Sequence, residues 1–308
     1  MSSLRAYTAA LLAVASLLAA CAPPAARLRS ADDATIWDVR AGRFIDRAAL
    51  VEAIVPVRFR LLGEVHDNPV HHRLRAELID AIGQSGRRPA VVVEQFDFAG
   101  EPALAAVQQR GADAEGLASA GALDRRAWRW PLHAPVLTAA LRAHMPVHAG
   151  NAPRAVLAAV MRTGDLQSLE PALRARVDRA SWTADQAAAL AAEIREGHCN
   201  KLPESAVPRL ALAQRVRDAA MAEVLARDAT ADGAILIAGN GHVRRDLAVA
   251  AYLEVPATQV VAVAWLEAGG ADRRSPVFPA NVITDPSGFD YVWFTPPMAR
   301  PDPCLGLP

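Results

Sequence analysis

Net charge is the first thing this 308-residue chain lacks: 33 basic side chains balance 33 acidic ones. Without a global field, nothing draws in nucleic acid or an anionic bilayer by counterion release, which sets nucleic-acid binding aside. No internal repeat of fixed period is visible. Cysteine is scarce, with only Cys21, Cys199 and Cys304. What remains is ordinary: 52% hydrophobic and 21% charged residues describe a globular chain long enough for one large domain or two small ones.

The first residues stand apart. Arg5 is followed by Ala9 to Ala20, an apolar run built almost wholly of Ala and Leu. A hydrocarbon core needs ~20 residues to cross, so a retained transmembrane helix is the weaker reading and a signal peptide over 1–20 the stronger. Leu18-Ala19-Ala20-Cys21 resembles a bacterial lipobox, in which the Cys21 thiol receives a diacylglyceryl group and palmitate. Ala22 is not the aspartate of inner-membrane retention, so the expected anchor is the outer membrane, facing the periplasm. With Cys21 consumed, Cys199 and Cys304 are an even pair in an oxidising compartment and are expected to form a disulfide. The Pro23-Pro24 stretch up to residue 34 reads as a tether, and one domain is expected over 35–308.

Within it, short β-rich runs alternate with helical patterns, which indicates an α/β fold with a largely parallel central sheet flanked by helices. Strands are expected at Val57 to Leu62, Ala90 to Val93, Val147 to Ala149, Ala234 to Ala238 and Val260 to Ala264. A helix is expected from Pro69 to Ile82, capped by Asn68 and left through Gly83. Between about 152 and 228 the Ala- and Arg-rich composition, with a Thr183 to Gln186 capping box, predicts a helical insertion broken by Pro203 and Pro208.

Gly-x-x-His occurs twice, as Gly63-Glu64-Val65-His66 and Gly239-Asn240-Gly241-His242, each directly after an expected strand. Parallel strands end on one edge, where open α/β sheets bind ligands. Glu94 and Asn151 follow two more strands, so Glu64, His66, Glu94, Asn151, Asn240 and His242 should converge there. Glycine suits such exits because it lets the backbone turn sharply or approach closely. Any single histidine at a strand end is more often structural than functional. Six polar groups together are costly to bury without a use. Two imidazoles and two carboxylates could hold a divalent metal, with His66 and His242 as ligands, or divide acid and base roles. His71 and His72, ~100° apart on a helix, are expected to be partly solvated. Trp128, Trp130 and His133 form an aromatic stretch that either packs as core or walls a flat ligand. Arg217 is the sort of residue usually found on a solvated helix face, though an arginine is also what a carboxylate-bearing ligand would require.

Leu-Leu-Gly-Glu-Val-His-Asp-Asn at 61–68, Val-Glu-Gln-Phe at 93–96, Ile-Ala-Gly-Asn-Gly-His-Val-Arg at 237–244 and Tyr-Val-Trp-Phe-Thr at 291–295 resemble the ChaN-like haem-binding lipoproteins of the Tiki, TraB and erythromycin-esterase superfamily. The resemblance implies an outer-membrane lipoprotein with a part in haem or iron acquisition. By the same resemblance, superfamily relatives place a hydrolytic site at the positions of Glu64, His66, Glu94 and His242, with Arg217 a looser match. The family's axial haem ligand is a tyrosine. This sequence departs there, since its tyrosines are Tyr7, Tyr252 and Tyr291 and none lies near Trp128; His133 could substitute, with Trp130, Asn151 and Asn240 beside the ligand. The absence of Cys-x-x-Cys-His excludes covalent c-type attachment by the usual motif. Haem or a related iron-bearing ligand is therefore the expected cargo, a hydrolase of ester or peptide bonds the alternative, and an interaction protein with a relic pocket the third reading. The oligomeric state, a homodimer included, is left open.

Overall fold

The computed structural model describes residues 36–268 and 288–306. The expected signal peptide, Cys21 and the tether to residue 34 lie outside the described residues. Among the described residues, eight strands, β1 (Ile36–Asp38), β2 (Arg43–Ile45), β3 (Phe59–Leu62), β4 (Ala90–Asp97), β5 (Val147–Asn151), β6 (Ala234–Ile237), β7 (Val260–Glu267) and β8 (Tyr291–Thr295), form one sheet in the order β2-β1-β8-β7-β3-β6-β4-β5. The six strands from β8 to β5 run parallel, and β1 pairs antiparallel with both β2 and β8. All five anticipated strands are present, with β4, β5 and β7 running further and β3 starting later than expected. β1, β2 and β8 were not anticipated. Three-residue strands carry no readable alternation, and they exist because β8, distant in sequence, gives them an edge to pair with.

Strands covered on both faces need apolar residues at every position, not at alternate ones. Leu62, Val91, Val93, Ile235, Ile237 and Val263 pack into one core, while Leu61, Val92, Ala234, Leu236, Ala262 and Ala264 pack into the other. Helices α1 (Arg47–Ile54), α2 (Pro69–Gln84), α3 (Glu101–Gln109), α4 (Ala114–Ala120) and α5 (Ala134–Arg142) contribute buried residues to the first core. Helices α6 (Arg154–Thr163), α7 (Pro171–Arg179) and α9 (Val207–Asp228) line the second, and α8 (Ala184–Gly197) precedes α9.

The punctuation of α2 begins as the sequence predicts. Asn68 accepts from Val70 N–H at 2.9 Å, and Pro69 sits in the first turn. The exit differs: the helix continues to Gln84, and Gly86, at φ +86°, makes the left-handed turn. Gly83 serves packing instead, because a Cβ there would lie 2.9 Å from Ala143 Cβ on the neighbouring chain segment. The Thr183–Gln186 capping box forms. The insertion breaks where expected: Pro203 lies between α8 and α9, and Pro208 opens α9, as a residue without an N–H can do in a first turn. The expected disulfide is present, with Cys199 and Cys304 Cα atoms 5.7 Å apart across 105 residues of sequence. Among the described residues, no helix is long and apolar enough to cross a membrane.

Candidate functional site

Register brings the strand exits together. Leu62 of β3 and Val93 of β4 both lie opposite Ile237 of β6, so Glu64, Glu94 and the Gly239 turn leave the sheet at one level. Beyond them lies a cavity of about 760 Å³, with His66, Glu94, Gln95, Asn151 and Arg217 among its polar lining and Trp128, Leu157, Met161 and Leu210 among its apolar lining.

The first Gly-x-x-His turn delivers His66 to this cavity with 49% of its side chain exposed. Its Nδ1 donates to Glu64 Oε1 at 2.8 Å, which leaves Nε2 with a lone pair and no hydrogen-bond partner among the described residues. The residue borders the cavity, yet it lies deep enough that desolvation lowers its pKa, against the pull of Glu94 and helped by the charges of His242 and Arg217. Glu64 is buried and ion-paired with the fully buried Arg75, whose pKa burial lowers to about 9.

Below His66 lies a nest of neutral imidazoles. His72 donates from Nε2 to the His66 carbonyl at 3.0 Å and accepts from Arg75 at Nδ1, at 2.9 Å. His71 accepts from Val65 N–H at 3.0 Å and donates from Nε2 to Thr295 Oγ1 at 2.8 Å. Burial pushes His72 down to about 4 and His71 to about 3. Both are wholly buried, which corrects the expectation of partial solvation: the β8 end and the His66 loop close over the helix start from two sides. His133 is 3% exposed, its two ring nitrogens have no hydrogen-bond partner among the described residues, and burial with the neighbouring His72 and Arg75 charges lowers it to about 2.

The second turn has the opposite character. His242, also 3% exposed, donates from Nδ1 to Asp218 Oδ1 at 2.6 Å and sets Nε2 3.3 Å from Glu94 Oε1. Burial opposes its charge, but the Glu94 and Asp218 carboxylates raise its pKa to about 9. Glu94, whose burial alone would raise it, is held well below the carboxylate range by His242 and Arg217. It also accepts from Gly239 N–H at 2.8 Å and pairs with Arg217.

The six residues expected to converge stand at this one edge; His66, Glu94 and Asn151 line the cavity, while Glu64 and His242 are buried behind His66 and Glu94. Asn151 donates to the Glu94 carbonyl at 3.1 Å and accepts from Arg217 at 3.3 Å. Asn240 does not line the cavity: its amide bonds the Trp265 backbone at 2.7 and 3.2 Å, fastening the turn to β7. Trp130 is also elsewhere, donating to Glu115 at 2.9 Å under the Arg125 guanidinium. The anticipated metal pair of His66 and His242 is not assembled, because the Asp218 and Glu94 contacts engage both nitrogens of a protonated His242. Glu64, His72 and His133 do bring ligand atoms within 4.8 Å of one another, but the Arg75 guanidinium contacts Glu64 and His72 and supplies the cation there. Sequence reasoning missed Asp218 and Gln214. With Arg217 they stand at i, i+3 and i+4, one face of α9, and that spacing was the available signal.

A family model described as haem-binding uptake, Tiki superfamily, ChaN, matches residues 50–253. The chain belongs to this family. Among solved structures it resembles the ChaN of Campylobacter jejuni, described as showing cofacial haem binding, with a TM-score of 0.66 and 18% identity over 83% of this chain and 94% of that one. The type III effector HopBA1 (TM-score 0.44, 14% identity, 80% and 91% covered) and erythromycin esterase EreC in its open conformation (0.37, 16%, 72% and 72%) share less. At such scores neither informs the chemistry of the site. No curated protein matches the sequence.

For this ChaN-family chain the question is whether the cavity suits haem. No tyrosine among the described residues lines it: Tyr252 accepts from Arg215 at 3.0 Å, and Tyr291 borders a separate hollow beside Arg40 and Arg245. His133, the expected substitute, lies behind Trp128 with ring centroids 5.6 Å apart and does not reach the cavity. The cavity nonetheless combines an aromatic wall, a thioether, a half-exposed imidazole and two arginines, Arg154 and Arg217, which pair with the lining carboxylates Asp124 and Glu94. That donor set fits a planar, iron-bearing dicarboxylate.

Proposed function

We propose that the cavity beyond β3, β4 and β6 receives haem, or a closely related flat iron-bearing ligand, and that the chain serves in its uptake. The observation carrying this reading is Trp128 standing edge-on to His66, ring centroids 5.0 Å apart, at a cavity of about 760 Å³, within a family of haem-binding uptake proteins. Trp128, Leu157, Met161 and Leu210 would cover the macrocycle, and Arg154 and Arg217 would meet its carboxylates. Bound haem would supply the iron and the absorbance, while the protein supplies apolar cover and counter-charge. Titrating the purified mature chain with haemin should give saturable Soret binding, weakened in Trp128→Ala. A linear, unsaturable titration overturns the reading.

Export and anchoring complete the proposal: residues 1–20 direct secretion, Cys21 carries the lipid, and the domain faces the periplasm from the outer membrane. Metabolic labelling with a palmitate analogue should mark the wild type and not Cys21→Ser. Equal labelling of both would remove the anchor.

A second reading rests on the Glu64–His66 pair, in which a carboxylate-oriented neutral imidazole beside Arg217 could activate water for ester or peptide cleavage. It requires turnover of a chromogenic ester or peptide that falls in His66→Ala. Equal turnover in both proteins excludes it.

A further inference from the structure

We propose that His66, through Nε2, is the axial ligand to the iron of the bound macrocycle, positioned by Glu64 and given room by Gly239. This rests on the haem reading above and goes further by naming the atom that holds the metal.

The assignment follows from elimination and from support. All eight histidines of the sequence lie within the described residues, and among them only His66 lines the cavity. His71, His72 and His133 are buried. His242 is enclosed between Asp218 and Glu94, so neither of its nitrogens is open to an incoming metal. His148 is turned to Glu101 at 2.7 Å and His198 to the Ile194 carbonyl at 2.7 Å. His144 does not border the cavity.

His66 carries the support that a metal-bound imidazole needs. A ligating histidine donates its other ring N–H to a carboxylate or carbonyl, which fixes ring orientation and raises the basicity of the ligating nitrogen. The 2.8 Å bond from Nδ1 to Glu64 does this, and Glu64 is in turn held by Arg75. The ring is confined on two sides. Trp128 stands edge-on at 5.0 Å, and on the other side a Cβ on Gly239 would come within 2.9 Å of both Cε1 and Nε2. Any residue but glycine at 239 would push against the ring at the ligating atom. The glycine of the second Gly-x-x-His turn therefore serves the histidine of the first.

The test uses the full mature chain loaded with haemin. In His66→Ala, haem affinity should fall by about 10–100-fold or more, the Soret band should shift, and imidazole added to the buffer should restore the wild-type spectrum. Glu64→Gln should keep the ligand and alter the reduction potential. Because Glu64 is buried, a circular dichroism melt accompanies each variant, and His66→Ala, half exposed, is the decisive one. Unchanged affinity and an unchanged spectrum in folded His66→Ala overturn the ligand assignment and leave the haem reading standing, with Met161→Leu then showing whether the thioether is the ligand. Absence of saturable binding in the wild type overturns both.

Discussion

After β3 and after β6 the chain writes the same pattern, a glycine and then a histidine three residues on, and the two turns do opposite chemistry. His66 is half exposed, with one nitrogen on Glu64 and the other without a hydrogen-bond partner among the described residues. His242 is enclosed between Asp218 and Glu94 and carries a proton at neutral pH. The difference arises from neighbours that no short motif encodes. Around His66 lies a nest of neutral imidazoles backed by one guanidinium, and around His242 lie two carboxylates that outweigh the cost of burial. A repeated motif thus marks a repeated backbone geometry, while the charge state of each copy belongs to the packing.

The contrast can be broken most strongly with acid. His71, His72 and His133 have folded-state pKa values depressed to about 3, 4 and 2. Such groups contribute stability that is present above their unfolded value near 6.5 and is lost as pH falls from there toward the folded values. At pH 4 the loss is about 3 kcal/mol for each imidazole, together comparable to the whole stability of a domain. Unfolding monitored by circular dichroism should therefore occur between pH 6 and about 4. A domain still fully folded at pH 3 would contradict the neutral nest.

Next in size is Glu94→Gln, which leaves His242 and Arg217 facing each other without their shared carboxylate. The expected cost is about 3–5 kcal/mol in urea denaturation. NMR titration should show the His242 pKa falling from its raised value; an unmoved pKa would mean that Asp218 alone holds the proton.

On the alkaline side the sign reverses. A pKa raised from 6.5 to about 9 gives stability that is complete below about 6.5 and lost as pH rises through about 9, of order 3 kcal/mol. Denaturant midpoints should fall over that window in the wild type and stay level in His242→Gln. Parallel slopes would assign the loss to another group.

The smallest effects separate the two glycines. Gly63→Ala sets a methyl 2.2 Å from Asn240 Oδ1 and 2.9 Å from Val243, both fixed in the β6 turn, so it should cost about 1–3 kcal/mol. Gly239→Ala meets the His66 ring at 2.9 Å, which can swing into the cavity. It should cost under about 1 kcal/mol and be detected instead as weakened haem binding. Equal stability losses would show that His66 is as rigidly held as Asn240.

Much of the scaffold was legible in the residues. Runs such as Ala90 to Val93 and Ala234 to Ala238 are apolar at consecutive positions because both faces of the sheet are covered, and Asn68-Pro69 starts a helix by local hydrogen bonding and a fixed φ. Cys199 and Cys304 were paired by counting. The helix exit was misplaced because Gly83 answers to a neighbouring segment and not to its own helix. His71 and His72 were misread because adjacent helix positions diverge by ~100°, and only a chain that wraps both sides can bury the two. Asp218 was passed over beside Arg217 because a lone aspartate on a helix is ordinary until an imidazole arrives from β6.

Short-range patterns of apolar residues, caps and glycines, acting over a few neighbours, were enough to specify parallel strands whose exits share one edge and to bring Glu64, His66, Glu94 and His242 there. Tertiary structure alone decided which imidazole is charged, which is buried and which faces the cavity. Exposure and proton affinity are sums over desolvation and charge from segments such as α9, β8 and the Trp128 loop, which meet only once the chain has folded.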